Sequence, residues 1–374
     1  MVFASAHTAI DRSDLAAADR KRKTIFHAKT DVAELGALCV QLRHTRCDAI
    51  NRCRDIVEYI CCERLKLHRY KVTPLMHAGT FRVLFRITSP KSQPLMIRIN
   101  RLYEYGRAWD FLIEACVYPL LAQQGLAVPT IIDVDISQRY VAADYQVMTY
   151  VRGKTLKSFE DEQTQYMSPF LLRSIGAYVA RVHSIKISGY GPLAVVPLMV
   201  PHVLPRGVHD SWSDYILLRL EEHAGLCKEI GAINASEYAI ILELFRRYEP
   251  LFKNVSPSLL HGDVGNQNFL SDDGETITAL VDWEDSMAGD PVFEVALWGT
   301  FFRDYMRNTL LEGYTTVNRL PHDFELRYWM YYLRIVLSKT VHRFRFGYAD
   351  RPGRPRISLR IQKALSRIEA LKNF

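Results

Sequence analysis

The stretch from Leu259 to Trp298 constrains this chain more than any other part of it. It reads LLHGDVGNQNFLSDDGETITALVDWEDSMAGDPVFEVALW. Apolar Leu259 and Leu260 lead into His261, Gly262 and Asp263, and Asn268 follows. FLSDDGETITALVDW has the pattern of a hairpin. Asp273-Gly274 marks the turn, Thr276 to Val281 forms the returning strand, and Asp282 stands at its end. Such a hairpin brings Asn268 and Asp282 to one edge. An amide oxygen and a carboxylate are hard ligands suited to Mg²⁺, which keeps waters and takes phosphates as further ligands. Asp263 stands beside them without binding metal, placed to accept a proton from a hydroxyl group. The competing explanation is a hairpin whose turns are simply rich in Asp and Asn.

The remainder of the chain divides around that segment. Its 374 residues, 48% apolar and 24% charged, fit two or three folded lobes and exclude a largely disordered protein. Residues 1–35 are polar and small-residue rich, including the RKRK run at Arg20 to Lys23, and read as a poorly ordered basic arm. Asp48 to Leu67 has helical spacing. GTFRVLFRI and PLMIRI, separated by SPKSQ, read as an antiparallel hairpin. A helix over Arg107 to Gln124 and two more strands, VPTIIDVD and YQVMTYV, complete a first lobe over 36–150. From 151 to 374 helices dominate, over Phe170–Ile185, Trp212–His223, Glu237–Tyr248, Tyr328–Phe346 and Pro355–Leu371. This is an α+β plan with a small β-rich N-lobe and a larger, mainly helical C-lobe. A cleft between lobes is where a small ligand binds.

Charge and cysteine usage exclude other classes. The longest uncharged stretch, near Gly191 to Pro205, holds several prolines and is too short for a membrane span. Charges in MVFASAHTAIDRSD interrupt any secretory apolar region. The seven cysteines lack metal-site spacing and read as reduced thiols of a cytoplasmic protein. Net charge is +7, and from Arg334 onward eleven Lys or Arg face only Asp350 and Glu369. No recognition motif accompanies that basic segment, so neither nucleic acid nor membrane is the expected partner. Oligomeric state is not legible.

The order H-G-D-x-x-x-x-N, strand-D-W, then G-D-P opening a helix, resembles the aminoglycoside phosphotransferase and choline kinase-like family, which has the protein kinase-like fold. The similarity runs from about Asp48 to His342. Its texture is nearest to hygromycin B kinase-like members, with SGYGP and H-x-D-x-G-x-x-N-x-L. The resemblance implies a phosphotransferase with ATP or GTP as donor and Mg²⁺ as cofactor. It implies Asp263 as catalytic base, Asn268 and Asp282 as metal ligands, and His261 as a loop-organising residue. Asp290 becomes a structural helix cap. Gly79-Thr80 becomes the turn over the phosphates, although a G-x-G-x-x-G is missing and a lone Gly also marks a bend. Arg98 takes the place of the usual phosphate-binding Lys, and Glu114 is its partner. Met148 and Tyr150 belong to the hinge whose backbone meets the nucleobase.

For the acceptor, Asp210 and Asp214 lie on or near one helix, and Glu284 and Asp285 follow Asp282 closely. Carboxylates there suit a cationic, hydroxyl-bearing acceptor such as an aminoglycoside or aminocyclitol. A solvated helix face is the plain alternative. Tyr328, Trp329, Tyr331 and Tyr332 serve either a sugar ring or the core. A metabolic kinase acting on choline or a fructosamine uses the same catalytic set. A catalytically silent kinase-like module would not need Asp263, Asn268 and Asp282 intact.

Overall fold

Alternation along the strands decides which face of the N-terminal sheet is dry. The structure is a computed structural model, and it describes residues 12–32, 34–76, 79, 81–90, 92–101, 109–159, 167–195, 204–347 and 357–371. Strands β1 (Lys71–Pro74), β2 (Arg82–Ser89), β3 (Ser92–Asn100), β4 (Ile131–Asp135) and β5 (Tyr145–Thr149) form one antiparallel sheet in the order β1-β2-β3-β5-β4. Side chains alternate between faces. Val83 pairs with Ile99, Phe85 with Ile97, and Ile97 with Val147, so these apolar residues share one face. Arg82, Leu84, Arg98 and Gln146 share the other.

Among the described residues five helical pieces precede the sheet: α1 (Arg12–Arg22), α2 (Ala28–Asp31), α3 (Glu34–His44), α4 (Arg46–Arg52) and α5 (Arg54–Tyr59). The last two, with a π turn over Ile60–Arg64, bury Ile50, Val57 and Ile60 against the apolar face. The single helix expected over Asp48–Leu67 is therefore divided, with Cys53 ending one piece and starting the next. Helix α6 (Asp110–Gln123) lies on the arginine-bearing face, where Gln146 Nε2 donates to Phe111 O at 3.2 Å.

Beyond residue 150 the C-lobe is helical, built around Pro169–His183, Pro291–Gly299 and Phe324–Arg345. Strand Phe269–Ser271 pairs with Ile277–Leu280 as the expected hairpin, with a bulge after Leu270. Asp273 closes the turn by accepting from Glu275 N at 2.8 Å and Thr276 N at 2.7 Å, bonds that pull its carboxyl down to about 2. The helix expected over Trp212–His223 breaks at Arg219, which adopts a left-handed conformation (φ 56°). Tyr328, Trp329, Tyr331 and Tyr332 are all buried in the main core, so the aromatic stripe packs the lobe and does not line an open site. Among the described residues no helix is long and apolar enough to cross a membrane.

The poorly ordered arm expected over 1–35 is corrected for its described part. Leu15, Ala18 and Phe26 are buried, and Leu15 and Phe26 join the main core. Phe26 lies between the Arg334 guanidinium, 3.5 Å from its ring centroid, and the Tyr215 ring, at 5.0 Å. Asp31 Oδ1 accepts from His223 Nε2 at 2.7 Å, and its other oxygen accepts from Phe26 N at 2.7 Å and His27 N at 3.0 Å. Arg334 Nη1 donates to His223 Nδ1 at 3.2 Å, which fixes His223 as the neutral tautomer protonated on Nε2. Residues 12–31 are thus a docked strap on the C-lobe.

That network has a pH signature. Burial depresses the His223 pKa, and the hydrogen bond to Asp31 does not reverse it. Burial pushes the Asp31 carboxyl up, but its bonds from His223 and the backbone outweigh this and hold it low. In both cases the unfolded chain binds the proton more readily. Stability therefore falls as pH drops below about 6.5, the ordinary histidine value, and falls again through the carboxylate range. His223→Gln keeps one donor and one acceptor without the titration. Urea midpoints at pH 7.5 and 5.5 should shift less in His223→Gln than in the parent; equal shifts would remove His223 as the cause.

Candidate active site

Strand Ser258–Leu260 is fully buried and delivers the chain to a turn where Gly262 holds φ +82°. A side chain at 262 would collide with the Asp285 carbonyl, so only glycine fits this close approach. Glu294, buried on the helix Pro291–Gly299, clamps the turn from beneath. Its Oε2 accepts from His261 N at 3.1 Å and His183 Nε2 at 3.0 Å, and its Oε1 accepts from Gly262 N at 2.8 Å. Burial pushes the Glu294 carboxyl up, but the hydrogen bond from His183 and the charges and backbone around it hold it below its usual value. His261 places Nε2 3.0 Å from Val281 O and accepts from Asp263 N at Nδ1, 3.2 Å away. It thereby ties the loop to the strand that ends at Asp282.

Asp263 leaves that turn half-buried. Asn268 Nδ2 donates to its carbonyl at 2.8 Å and reaches its Oδ2 at 3.4 Å, while Gln267 Nε2 lies 3.5 Å from the same oxygen. Val281 N donates to Asn268 O at 3.0 Å, which sets Asn268 against the residue before Asp282. Asp282 adopts a left-handed conformation (φ 70°), and its side chain is 43% exposed in an otherwise buried cluster.

Two arginines face Asp282 from the sheet. Arg98 pairs with buried Glu114, contacts Gln146 Oε1 at 3.2 Å and reaches Asp282 Oδ1 at 3.2 Å. Glu114 also accepts from Trp283 N at 3.1 Å, so one carboxylate holds both the arginine and the turn after Asp282. Arg82 is equally buried. It pairs with Asp110 at 3.1 Å, with Glu284, and with Asp282 at 3.8 Å. Arg22 also reaches Asp110, at 4.0 Å, so three cations meet four carboxylates and leave an excess of negative charge at the Asp282 edge, an environment that accommodates a divalent cation.

The model of the phosphotransferase enzyme family matches residues 71–327, well over half the chain. The chain belongs to this family. The chain is 25% identical over 207 residues to hygromycin-B 4-O-kinase of Escherichia coli, a match spanning 51% of this chain and 55% of that relative, so it spans about half the length of the curated relative it matches. Its fold is that of aminoglycoside phosphotransferase APH(4)-Ia, solved as a ternary complex with ADP and hygromycin B (TM-score 0.55, 20% identity, covering 85% of this chain and 98% of that one). A choline/ethanolamine kinase family protein from Mesorhizobium loti shares the fold (TM-score 0.52, 17% identity, covering 86% and 95%).

The fold brings Asp263, Asn268, Asp282, Arg98, Glu114 and His261 to one place, and other expectations need correction. Gly79 does make a left-handed turn (φ +70°) before β2, while Thr80 lies outside the described residues. Tyr150 N donates to Pro94 O at 2.8 Å, and Met148 is paired within the sheet with Met96 and Ile131. The Tyr150 amide is therefore taken up by the sheet and does not reach toward a base. Asp290 caps Pro291–Gly299 through Val292 N at 2.9 Å and binds Arg327 and Tyr331 with its other oxygen. Asp210 is exposed and pairs with Lys23 and Arg206, and Asp214 is exposed one turn along. Glu284 is committed to Arg82. Of the four acceptor carboxylates expected, only Asp285 lines the cavity beside Asp263.

Arg82, Gln267 and Glu294 escaped the sequence reading. Arg82 was detectable: R-V-L-F-R-I alternates, which puts it on the face of Arg98. Glu294 carried no local signal, because its partners lie 32 and more residues away.

Proposed function

We propose that this chain transfers the γ-phosphoryl group of ATP or GTP to a hydroxyl group of a small molecule. The convergence of Asp263, Asn268 and Asp282 opposite the Glu114-held Arg98 carries this reading. Asp263 accepts the hydroxyl proton as the acceptor oxygen attacks phosphorus, and the nucleoside diphosphate leaves with the electron pair of the broken P–O bond. Arg98 draws on the donor phosphates. Asn268 and Asp282 supply hard oxygens for Mg²⁺, which neutralises phosphate charge when bound. Among the described residues no three His, Cys, Asp or Glu side chains group to hold a metal alone, so water and phosphate would complete the shell.

An aminoglycoside or aminocyclitol is the acceptor suggested by the relative's name. A metabolic hydroxyl compound, as in the choline/ethanolamine kinase family neighbour, is the other candidate. The test is nucleotide consumption with Mg²⁺ across hygromycin B, other aminoglycosides, macrolides, choline and fructosamines, with Asp263→Ala as blank. Turnover on any one of them, absent in the blank, supports the kinase reading. Consumption equal to the blank throughout sinks it. Asp282→Ala should weaken Mg²⁺-nucleotide binding by on the order of tenfold or more, the loss that even an outer-shell change brings to a metal site. Titration of a fluorescent nucleotide with and without EDTA measures it, and an unchanged affinity would remove Asp282 from the metal site.

A further inference from the structure

A cavity of about 620 Å³ opens beside Asp263 and Asp285. That is room for a ligand of drug-like size. One wall comes from the C-lobe, with Phe293, Leu297 and Ile335. The facing wall comes from the strap and the start of α3, with Ile25, Val32 and Leu35. This second wall precedes residue 71, where the family likeness begins. It is held firmly: Asp31 binds His223, Tyr215 Oη donates to Phe26 O at 2.9 Å, and Ser338 Oγ donates to Thr30 Oγ1 at 3.0 Å. The charges around the cavity are mixed: Lys21 and Arg22 of the strap and Lys339 of the C-lobe stand against Asp110, Asp144, Asp263 and Asp285.

We infer that the strap is part of the acceptor site and selects a hydroxyl-bearing molecule with an extended apolar face. The inference rests on the kinase reading above only for the word acceptor; the apolar pocket itself is tested without turnover. Ile25 and Val32 are half-buried and present hydrocarbon to the space that leads to Asp263. An apolar face laid against them gains the transfer free energy of the surface it hides from water.

The experiment uses the full chain and the neutral dye 6-propionyl-2-dimethylaminonaphthalene as probe. The parent protein should bind it with a blue shift at one site. Ile25→Trp fills the space and should weaken binding at least about tenfold, and Val32→Trp serves if Ile25→Trp fails to fold. Both variants should keep their affinity for nucleotide, and Asp263→Ala should still bind the dye. Hygromycin B should not displace it. No blue shift with the parent, indifference of both tryptophan variants, or displacement by hygromycin B would overturn the inference. The two readings fail separately. Loss of turnover on every acceptor with the dye result intact removes the kinase reading alone. Turnover on hygromycin B with a KM unmoved by Ile25→Trp removes the apolar acceptor alone.

Discussion

Asp263→Ala is expected to lower kcat by about 10²–10⁴-fold, the range for loss of a general base, while the nucleotide Kd stays within about a factor of two. The reasoning is geometric. Asp263 is fixed at both ends: His261 Nδ1 receives its amide, and the side-chain amides of Gln267 and Asn268 approach its Oδ2. None of these contacts involves Arg98 or Glu114, to which the proposal gives the donor side. Removing the carboxylate therefore removes proton acceptance and leaves the phosphate side intact. Asp263→Asn sharpens the test, since it preserves shape and loses only basicity. Stopped-time product assays and a fluorescent nucleotide titration give the two numbers. A comparable drop in rate and in nucleotide affinity would mean that Asp263 holds the donor and is not the base.

Glu294→Ala is expected to cost about 3 kcal/mol of stability or more, at about 1–3 kcal/mol for each buried donor left without a partner. Its carboxylate receives His261 N, Gly262 N and His183 Nε2, all in the interior. After truncation these donors have no water to replace it, and each bears a desolvation penalty. The loop they fix carries Asp263, so kcat should fall as well in whatever fraction remains folded. Glu294→Gln keeps one oxygen and the shape but turns an NH₂ toward a donor, and should fall between parent and Ala. Urea unfolding of the three proteins decides the matter. A loss below about 1 kcal/mol for Ala, the worth of one ordinary hydrogen bond, would show that the clamp is dispensable.

Local chemistry made the centre of this protein readable in advance. The Asp273-Gly274 turn, the apolar lead into His261 and the cap at Asp290 depend on neighbours within a few residues, so spacing reveals them. The alternation that buries Val83, Phe85 and Ile87 is equally local. What spacing did not reveal depends on who arrives from elsewhere. Residues 12–31 look polar because charges interrupt Leu15, Ala18 and Phe26. Docking is decided by Tyr215, His223 and Arg334, about two hundred residues or more downstream. Asp210 and Asp214 sit near the cleft in sequence terms but turn to solvent and to Lys23, since a short helix can present only one side to a cavity.

The strap also changes the mechanics of the two lobes. After docking on the C-lobe through Asp31, the chain enters the N-lobe at α3, where Arg101 Nη1 donates to Leu42 O at 2.6 Å. It leaves again after β5. The N-lobe is consequently tethered to the larger body by two covalent crossings, separated by the whole sheet. A body joined at one point can tilt in any direction, whereas a body joined at two turns chiefly about the line between them. Ile25 belongs to the docked part, so tilting of the N-lobe about that line leaves that wall of the cavity with the larger body.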